Sequence, residues 1–357
     1  MVNDMSLGES IKLRREILRI SLRDLAQQIG VSHTTIDKYE KNILVPDSQT
    51  LIQLSKILQI PIASLLRPQS QHIQLNQMAF RSKKLKKRDE KQINAETKEW
   101  LERYLQIEKL SGNHRMFEMP HGFPKKISSF DDAEKAANDL RKAWDLGSDP
   151  IENLTNLLED RGIKIGIIGG ITQFDALFTE YKNNPIIVIK EGLPRARQRF
   201  SLAHELGHCL LNVEEGIDRE KAMHRFAGAI LVPREKAIFE LGEKRHKLSI
   251  RELLMLKEKY GVSMGAWLYR AKDLEIISPA FYIEIRKIFV KQGWNKTEPG
   301  DDIPGEMPVH MSTLVFKSHA EGLISTSKAA ELLNQNISTF CSFEGEPNFE
   351  QSAILCG

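Results

Sequence analysis

RFSLAHELGHCLLN, residues 199–212, decides how the larger part of this chain is read. As a helix it places His204 and His208 four residues apart on one face, where both imidazoles reach one metal ion. Glu205 then lies beside that ion, placed to take a proton from water. Phe200, Ala203, Gly207, Leu210 and Leu211 form an apolar stripe that anchors the helix. Zinc is the cofactor this pattern suits, and it requires a third protein ligand and one open position. The following segment offers Glu214, Glu215, Asp218, Glu220 and His224. Spacing alone does not separate Glu220 from Glu214 or His224. A structural or inactive metal site is the competing reading.

Short strands precede this helix. Residues 163–168 (IKIGII) and 185–189 (PIIVI) read as strands, with Asn183-Asn184 as a turn. Helices are expected over 131–145 and 151–161, and two more over 249–275. From about residue 290 the chain is rich in Gly and Pro until a last helix at 326–334. The fold class expected is mainly α with a small β-sheet, α+β.

The N-terminal segment is different. LRDLAQQIGVSHTTIDKYEKN, residues 22–42, describes two short helices joined by a tight turn at Gly30. Leu25, Ala26, Ile29, Val31, Ile36 and Tyr39 face inward. His33, Thr34, Thr35, Asp37 and Lys38 face outward, side chains of the kind that reaches base edges in a major groove. Ser32, at a helix N-terminus, would meet a phosphate. These six are the candidate DNA-binding residues. Residues 1–70 hold nine Lys+Arg against seven Asp+Glu, so one copy would bind weakly and a homodimer is expected.

Composition narrows the remaining choices. The 357 residues are 41% hydrophobic and 28% charged, ordinary for folded protein, and suit several domains. Lys+Arg number 51 and Asp+Glu 48, a net charge of +3, so nucleic-acid affinity has to come from local arrangement. No apolar run spans a bilayer, the N-terminus lacks the pattern of a secretory signal, and Cys209, Cys341 and Cys356 are too few for a disulfide framework. No membrane partner and a cytoplasmic location are expected. RSKKLKKR, residues 81–88, puts six cations in eight positions; it suits a solvated helix face or a phosphate track. Cys209 and the tryptophans read as packing. No internal repeat is legible.

Two resemblances sharpen this reading. LRREILRISLRDLAQQIGVSHTTIDKYEKN with the trailing LIQLSKILQIPIASLL resembles the XRE-type (Cro/phage-repressor) helix-turn-helix domain. Asn42 stands where that family usually has Gly, which Asn covers by a left-handed backbone. RQRFSLAHELGHCLLN followed by EKAMHRFAGAILVP resembles the ImmA/IrrE metallopeptidases. That likeness implies His204, His208 and Glu220 as metal ligands and Glu205 as general base. His224 replaces the usual Asn and Met223 the usual Ala, so His224 is a candidate to orient Glu220 or substrate. Tyr181, before the second strand, is a further candidate to aid an oxyanion.

The domain plan that follows is a five-helix helix-turn-helix bundle at 6–67 and a polar linker with a mixed-charge helix at 68–128. A zincin-like metallopeptidase domain follows at 129–248, then a helical region at 249–335 and an unmatched tail at 336–357. Together the resemblances imply a DNA-binding transcriptional regulator whose zinc-dependent endopeptidase cleaves a repressor-type protein, itself or a partner subunit included. Its partners would be a double-stranded DNA operator and that protein substrate. Two alternatives are a transcription factor whose zinc domain senses without cutting, and an antitoxin-like autorepressor of a mobile or defence locus.

Overall fold

A computed structural model describes residues 6–58, 65, 73, 75, 87–170, 174–300 and 303–344. Most of the 81–88 cationic run, the turn expected from Pro61, Cys356 and the tail beyond 344 lie outside the described residues. No described helix is long and apolar enough to cross a membrane.

Each early helix starts on a side chain that accepts an otherwise unpaired backbone N–H. Ser6 caps α1 (Leu7–Ile17), Ser21 caps α2 (Leu22–Ile29), Ser32 caps α3 (His33–Glu40) and Asp47 caps α4 (Ser48–Ile57). Glu9 and Asp24 return the bond to their capping serines, closing two capping boxes. Gly30 ends α2 at φ 82°, the left-handed turn that glycine adopts without steric cost. Ile11, Leu25, Ala26, Ile29, Ile36, Tyr39, Leu54, Leu58 and Leu65 close over one core. Asn42 does adopt the left-handed backbone, at φ 55°. Its Oδ1 also accepts the Gly8 N–H at 2.9 Å and its Nδ2 donates to Ser6 Oγ at 2.7 Å, so it ties α1 to the end of α3. The long α5 (Lys87–Ser111) packs along α1, with Arg14 on Glu99 at 2.9 Å and Arg19 on Asp89 at 3.2 Å.

A second unit spans residues 115–308. Its elements run β1 (Lys125–Ile127), α6 (Phe130–Ala143), α7 (Leu154–Asp160), β2 (Lys164–Ile168), β3 (Ala176–Tyr181), β4 (Asn184–Lys190), α8 (Arg195–Leu210), β5 (Leu211–Val213), α9 (Arg219–Leu231), α10 (Arg234–Leu241), α11 (Ile250–Tyr260), α12 (Met264–Asp273) and α13 (Pro279–Lys291). Sheet order is β2-β4-β3, with β4 parallel to β2 and antiparallel to β3. Ile165 pairs with Ile187 across the first ladder, and Tyr181 with Asn184 across the second. β1 and β5 form a separate parallel pair. Both expected strands are present, and the α+β class holds. β3 was not anticipated: its inward residues Leu177, Thr179 and Tyr181 include a threonine, so the alternation is weak in apolar terms.

The C-terminal stretch is more helical than its sequence suggests. α13 lies within the helical region expected over 249–335 but beyond the two helices placed at 249–275, α14 (His310–Ala320) and α16 (Ile337–Glu344) occupy ground read as Gly/Pro-rich or unmatched, and α15 (Thr326–Leu332) is the helix expected at 326–334. The causes are local. α13 leaves Ile283, Ile288 and Val290 exposed, which blurs its apolar period. α14 has no capping side chain. The helices after 249 also divide: α11–α13 belong to the second unit, whereas α14–α16 pack on α5 in the first, around Ile107, Leu314, Val315, Leu332 and Phe340.

α14–α16 repeat the helix lengths, turns and serine cap of α1–α3, although within its own triad α1 packs chiefly on α3 and α14 chiefly on α15. The repeat corrects the reading of the sequence as free of repeats. α1 and α14 each have 11 residues, α3 and α16 each have 8. Arg19 and Gly322 turn left-handed after the first helix, Gly30 and Asn334 after the second. Ser21 caps α2 through the Asp24 N–H, and Ser325 caps α15 through the Lys328 N–H. Val31 donates to the Ala26 carbonyl and Gln335 to that of Ala330, each at 3.0 Å. Of the 21 positions in 20–40 and 324–344, only Ile20/Ile324, Ser21/Ser325, Ala26/Ala330, Thr35/Thr339 and Glu40/Glu344 are identical. That is too few to see without the backbone.

Candidate metal centre

α8 is held on two sides. Leu202, Ala203, Leu206 and Leu210 are buried in one core with Ile187 and Ile189 of the sheet and with Ala222, Met223, Phe226 and Ala227 of α9. A Cβ on Gly207 would stand 2.8 Å from Met223 Sδ and 3.2 Å from Phe226 Cδ1. The glycine therefore lets α9 approach the face that carries the histidines. Near its start α8 is fastened by Glu306, whose carboxylate accepts Arg199 Nη1 at 3.1 Å and the Thr155 N–H at 2.9 Å. Gln198 Nε2 donates to the Glu306 carbonyl at 2.6 Å. This anchor joins residues far apart in the chain and leaves no local signal.

Three side chains converge at the α8–α9 crossing. The Nε2 atoms of His204 and His208 are 3.2 Å apart. Glu220, in the first turn of α9, places Oε2 3.2 Å from His204 Nε2 and Oε1 3.9 Å from His208 Nε2. His204, Glu205 and His208 also offer ligand atoms that all lie within 4.8 Å of one another. Ligands held about 2.0–2.1 Å from one tetrahedral ion stand about 3.3 Å apart. The two imidazoles and the Glu220 carboxylate thus form a donor set that suits a divalent metal, with Glu205 alongside.

Two of the other acidic candidates are otherwise engaged. Glu214 pairs with Lys126, Asp218 caps α9 through the Lys221 N–H at 3.1 Å, and Glu215 is exposed. His224 directs Nδ1 at the Glu220 carbonyl oxygen, 2.8 Å away, and its ring lies 4.7 Å from that of His204 and 5.7 Å from Phe200. Burial among these rings and the neighbouring His204 hold its pKa below the usual imidazole value. Cys209 points into apolar packing, and burial pushes its thiol up to about 12. Tyr181 ends β3, buried, with the Lys182 ammonium 5.1 Å over its ring.

In the first unit His33, Thr34 and Lys38 are exposed, while Thr35 and Asp37 are half-buried. Ser32 Oγ accepts the Thr35 N–H at 3.1 Å, and Asp37 pairs with Lys41 at 2.8 Å. Sequence reasoning missed Lys41 as that partner, although its i, i+4 spacing from Asp37 signals it.

The fold and these residues define a helix-turn-helix protein with a second, HExxH-bearing α+β unit. The family described as Helix-turn-helix matches residues 11–65, and the family described as IrrE N-terminal-like domain matches residues 159–272. The chain combines an XRE-type helix-turn-helix domain with an IrrE/ImmA-like domain. Repressor protein C2 of Salmonella phage P22 is 35% identical over 66 residues, which is 18% of this chain and 31% of that protein. The HTH-type transcriptional regulator DicA of Escherichia coli (strain K12) is 34% identical over 56 residues, 16% of this chain and 42% of the relative. An uncharacterized HTH-type transcriptional regulator of Sinorhizobium medicae (strain WSM419) is 33% identical over 60 residues, 17% and 43% of the two chains. The chain spans less than half the length of each of these relatives.

Proposed function

We propose that this protein is a DNA-binding transcriptional regulator whose second unit is a zinc-dependent endopeptidase. Its substrate would be a repressor-type protein, including another copy of this chain. The observation that carries the reading is the convergence of His204, His208 and Glu220 within 3.2–3.9 Å, next to Glu205. Bound zinc would supply Lewis acidity toward a scissile carbonyl and would lower the pKa of water to about 7. His204 and His208 would hold the ion through Nε2, and Glu220 through its carboxylate. Glu205 takes the proton from the attacking water at its carboxylate and returns it to the leaving amine. β3 borders the sheet, beside α8. Its outer edge supports the reading, because an extended peptide can add to such an edge by main-chain hydrogen bonds. On DNA, His33, Thr34 and Lys38 of α3 face the major groove of an operator, and two copies read its two halves.

The test is metal content together with cleavage. Purified chain is incubated with candidate repressors, itself included, with and without chelator. Glu205→Gln retains about one zinc per chain and forms no product; Glu220→Ala loses zinc. Operator binding with no metal-dependent cleavage of any candidate would replace the peptidase with a sensor.

A further inference from the structure

The repeated plan of α14–α16 has a functional consequence. In α3 the outward positions are His33, Thr34, Thr35, Asp37 and Lys38. The same positions of α16 are Ile337, Ser338, Thr339, Cys341 and Ser342, and all five are exposed. Phe340 points inward as Ile36 does, and both are fully buried. Ala329 and Ala330 are buried as Leu25 and Ala26 are. The inner face of the second triad thus holds its helices together, while the outer positions of its last helix are exposed among the described residues.

We propose that residues 310–344 are a second helix-turn-helix that contacts the same DNA duplex through the outer face of α16. This rests on the reading of α3 as the first DNA contact. The exposed side chains suit base edges: Ser338, Thr339 and Ser342 both donate and accept hydrogen bonds, and Ile337, 51% exposed, suits a thymine methyl. The triad carries Lys317 and Lys328 against Glu321, Glu331 and Glu344. Its contribution is therefore contact with bases and not neutralisation of phosphates, and the salt dependence of binding comes from the N-terminal triad. Both triads pack on α5, Arg14 and Arg19 on its first half, and Lys328, through Gln106 at 2.9 Å, near its end. One chain then holds two readers on one helical support.

The test uses the full-length chain and its operator, selected from random duplexes. Hydroxyl-radical footprints and affinities at several salt concentrations are compared for wild type, Thr34→Glu, Ser338→Glu, Thr339→Glu and Ile337→Lys. Residues 338 and 339 are exposed, so their substitution spares the fold, which circular dichroism checks. Thr34→Glu abolishes binding; if wild type selects no DNA at all, the reading of α3 has failed and not this one alone. Ser338→Glu and Thr339→Glu are expected to shorten the footprint and to weaken binding about tenfold. Footprints and affinities equal to wild type in both would overturn the proposal. So would loss of a dimer by Ile337→Lys in sedimentation without DNA, since the face would then pair protein with protein.

Discussion

Gly207 and Met223 show how one missing methyl sets the site. Where the histidine-bearing face of α8 meets the glutamate-bearing helix α9, a Cβ at position 207 would crowd Met223 Sδ and Phe226. Met223, larger than the alanine usual there, fills the space with a flexible sulfur end. Gly207→Ala is expected to cost about 1–3 kcal/mol by overpacking and, by shifting α9, to weaken retention of the proposed metal. Met223→Ala in the same chain should recover part of that loss. A double-mutant cycle by thermal unfolding measures it, and zero coupling would mean that the two residues do not share the space. The HExxH spacing marked His204, His208 and Glu205 without any fold. Glu220 emerged from spacing only as one of several acids, because which acid faces a histidine depends on where a second helix crosses the first.

α5 illustrates a helix whose charges are set by what packs on it. Glu102 has a half-buried carboxyl with Oε1 unpartnered, and burial and the nearby Glu99 raise its pKa from 4.5 to about 7, against a smaller opposing effect of Arg103. The folded state therefore holds this proton more tightly than the unfolded chain. Stability is fully present below about pH 4.5 and is lost as pH rises through about 7. Glu102→Gln is expected to raise stability at pH 8 by about 1–2 kcal/mol after allowance for solvent screening, and Tm with it, and to leave both unchanged at pH 4. An equal Tm at pH 8 would place the carboxyl in water. A sequence reader sees only one acid among many on a mixed-charge helix; the burial that alters it comes from the elements packed around α5.

The second unit is braced by an ion cluster that joins three helices distant in the chain. Glu134 of α6 forms an ion pair with Arg225 of α9, 2.8 Å from Nε, and accepts hydrogen bonds from both terminal nitrogens of Arg270 of α12, at 2.6 and 2.5 Å. Arg225 also pairs with Asp273, and Arg270 Nε donates to the Val232 carbonyl at 3.0 Å. All three charged side chains are under 10% exposed. Removing Glu134 takes from buried Arg270 its carboxylate partner and leaves Arg225 with Asp273 and Asp131, at a cost of about 3–5 kcal/mol. Glu134→Leu should therefore lower Tm sharply and loosen α9, the helix that carries Glu220. Adding Arg225→Met and Arg270→Met should restore much of the loss. A Tm unchanged by Glu134→Leu would show that the cluster is solvated.

Local rules account for what could be read from the residues without a fold. Capping serines, the turn at Gly30, the 3.6-residue period of the N-terminal helices and the four-residue step between His204 and His208 need only the chain's immediate neighbours. Tertiary structure alone decided the convergence of Glu220 on the histidines, the edge position of β3, the anchoring of α8 by Glu306 and the repeat of α1–α3 in α14–α16. These depend on contacts between segments far apart, or on backbone geometry that different side chains can build equally well. A handful of identities cannot reveal such a repeat, whereas two left-handed turns and a serine cap in the same places can.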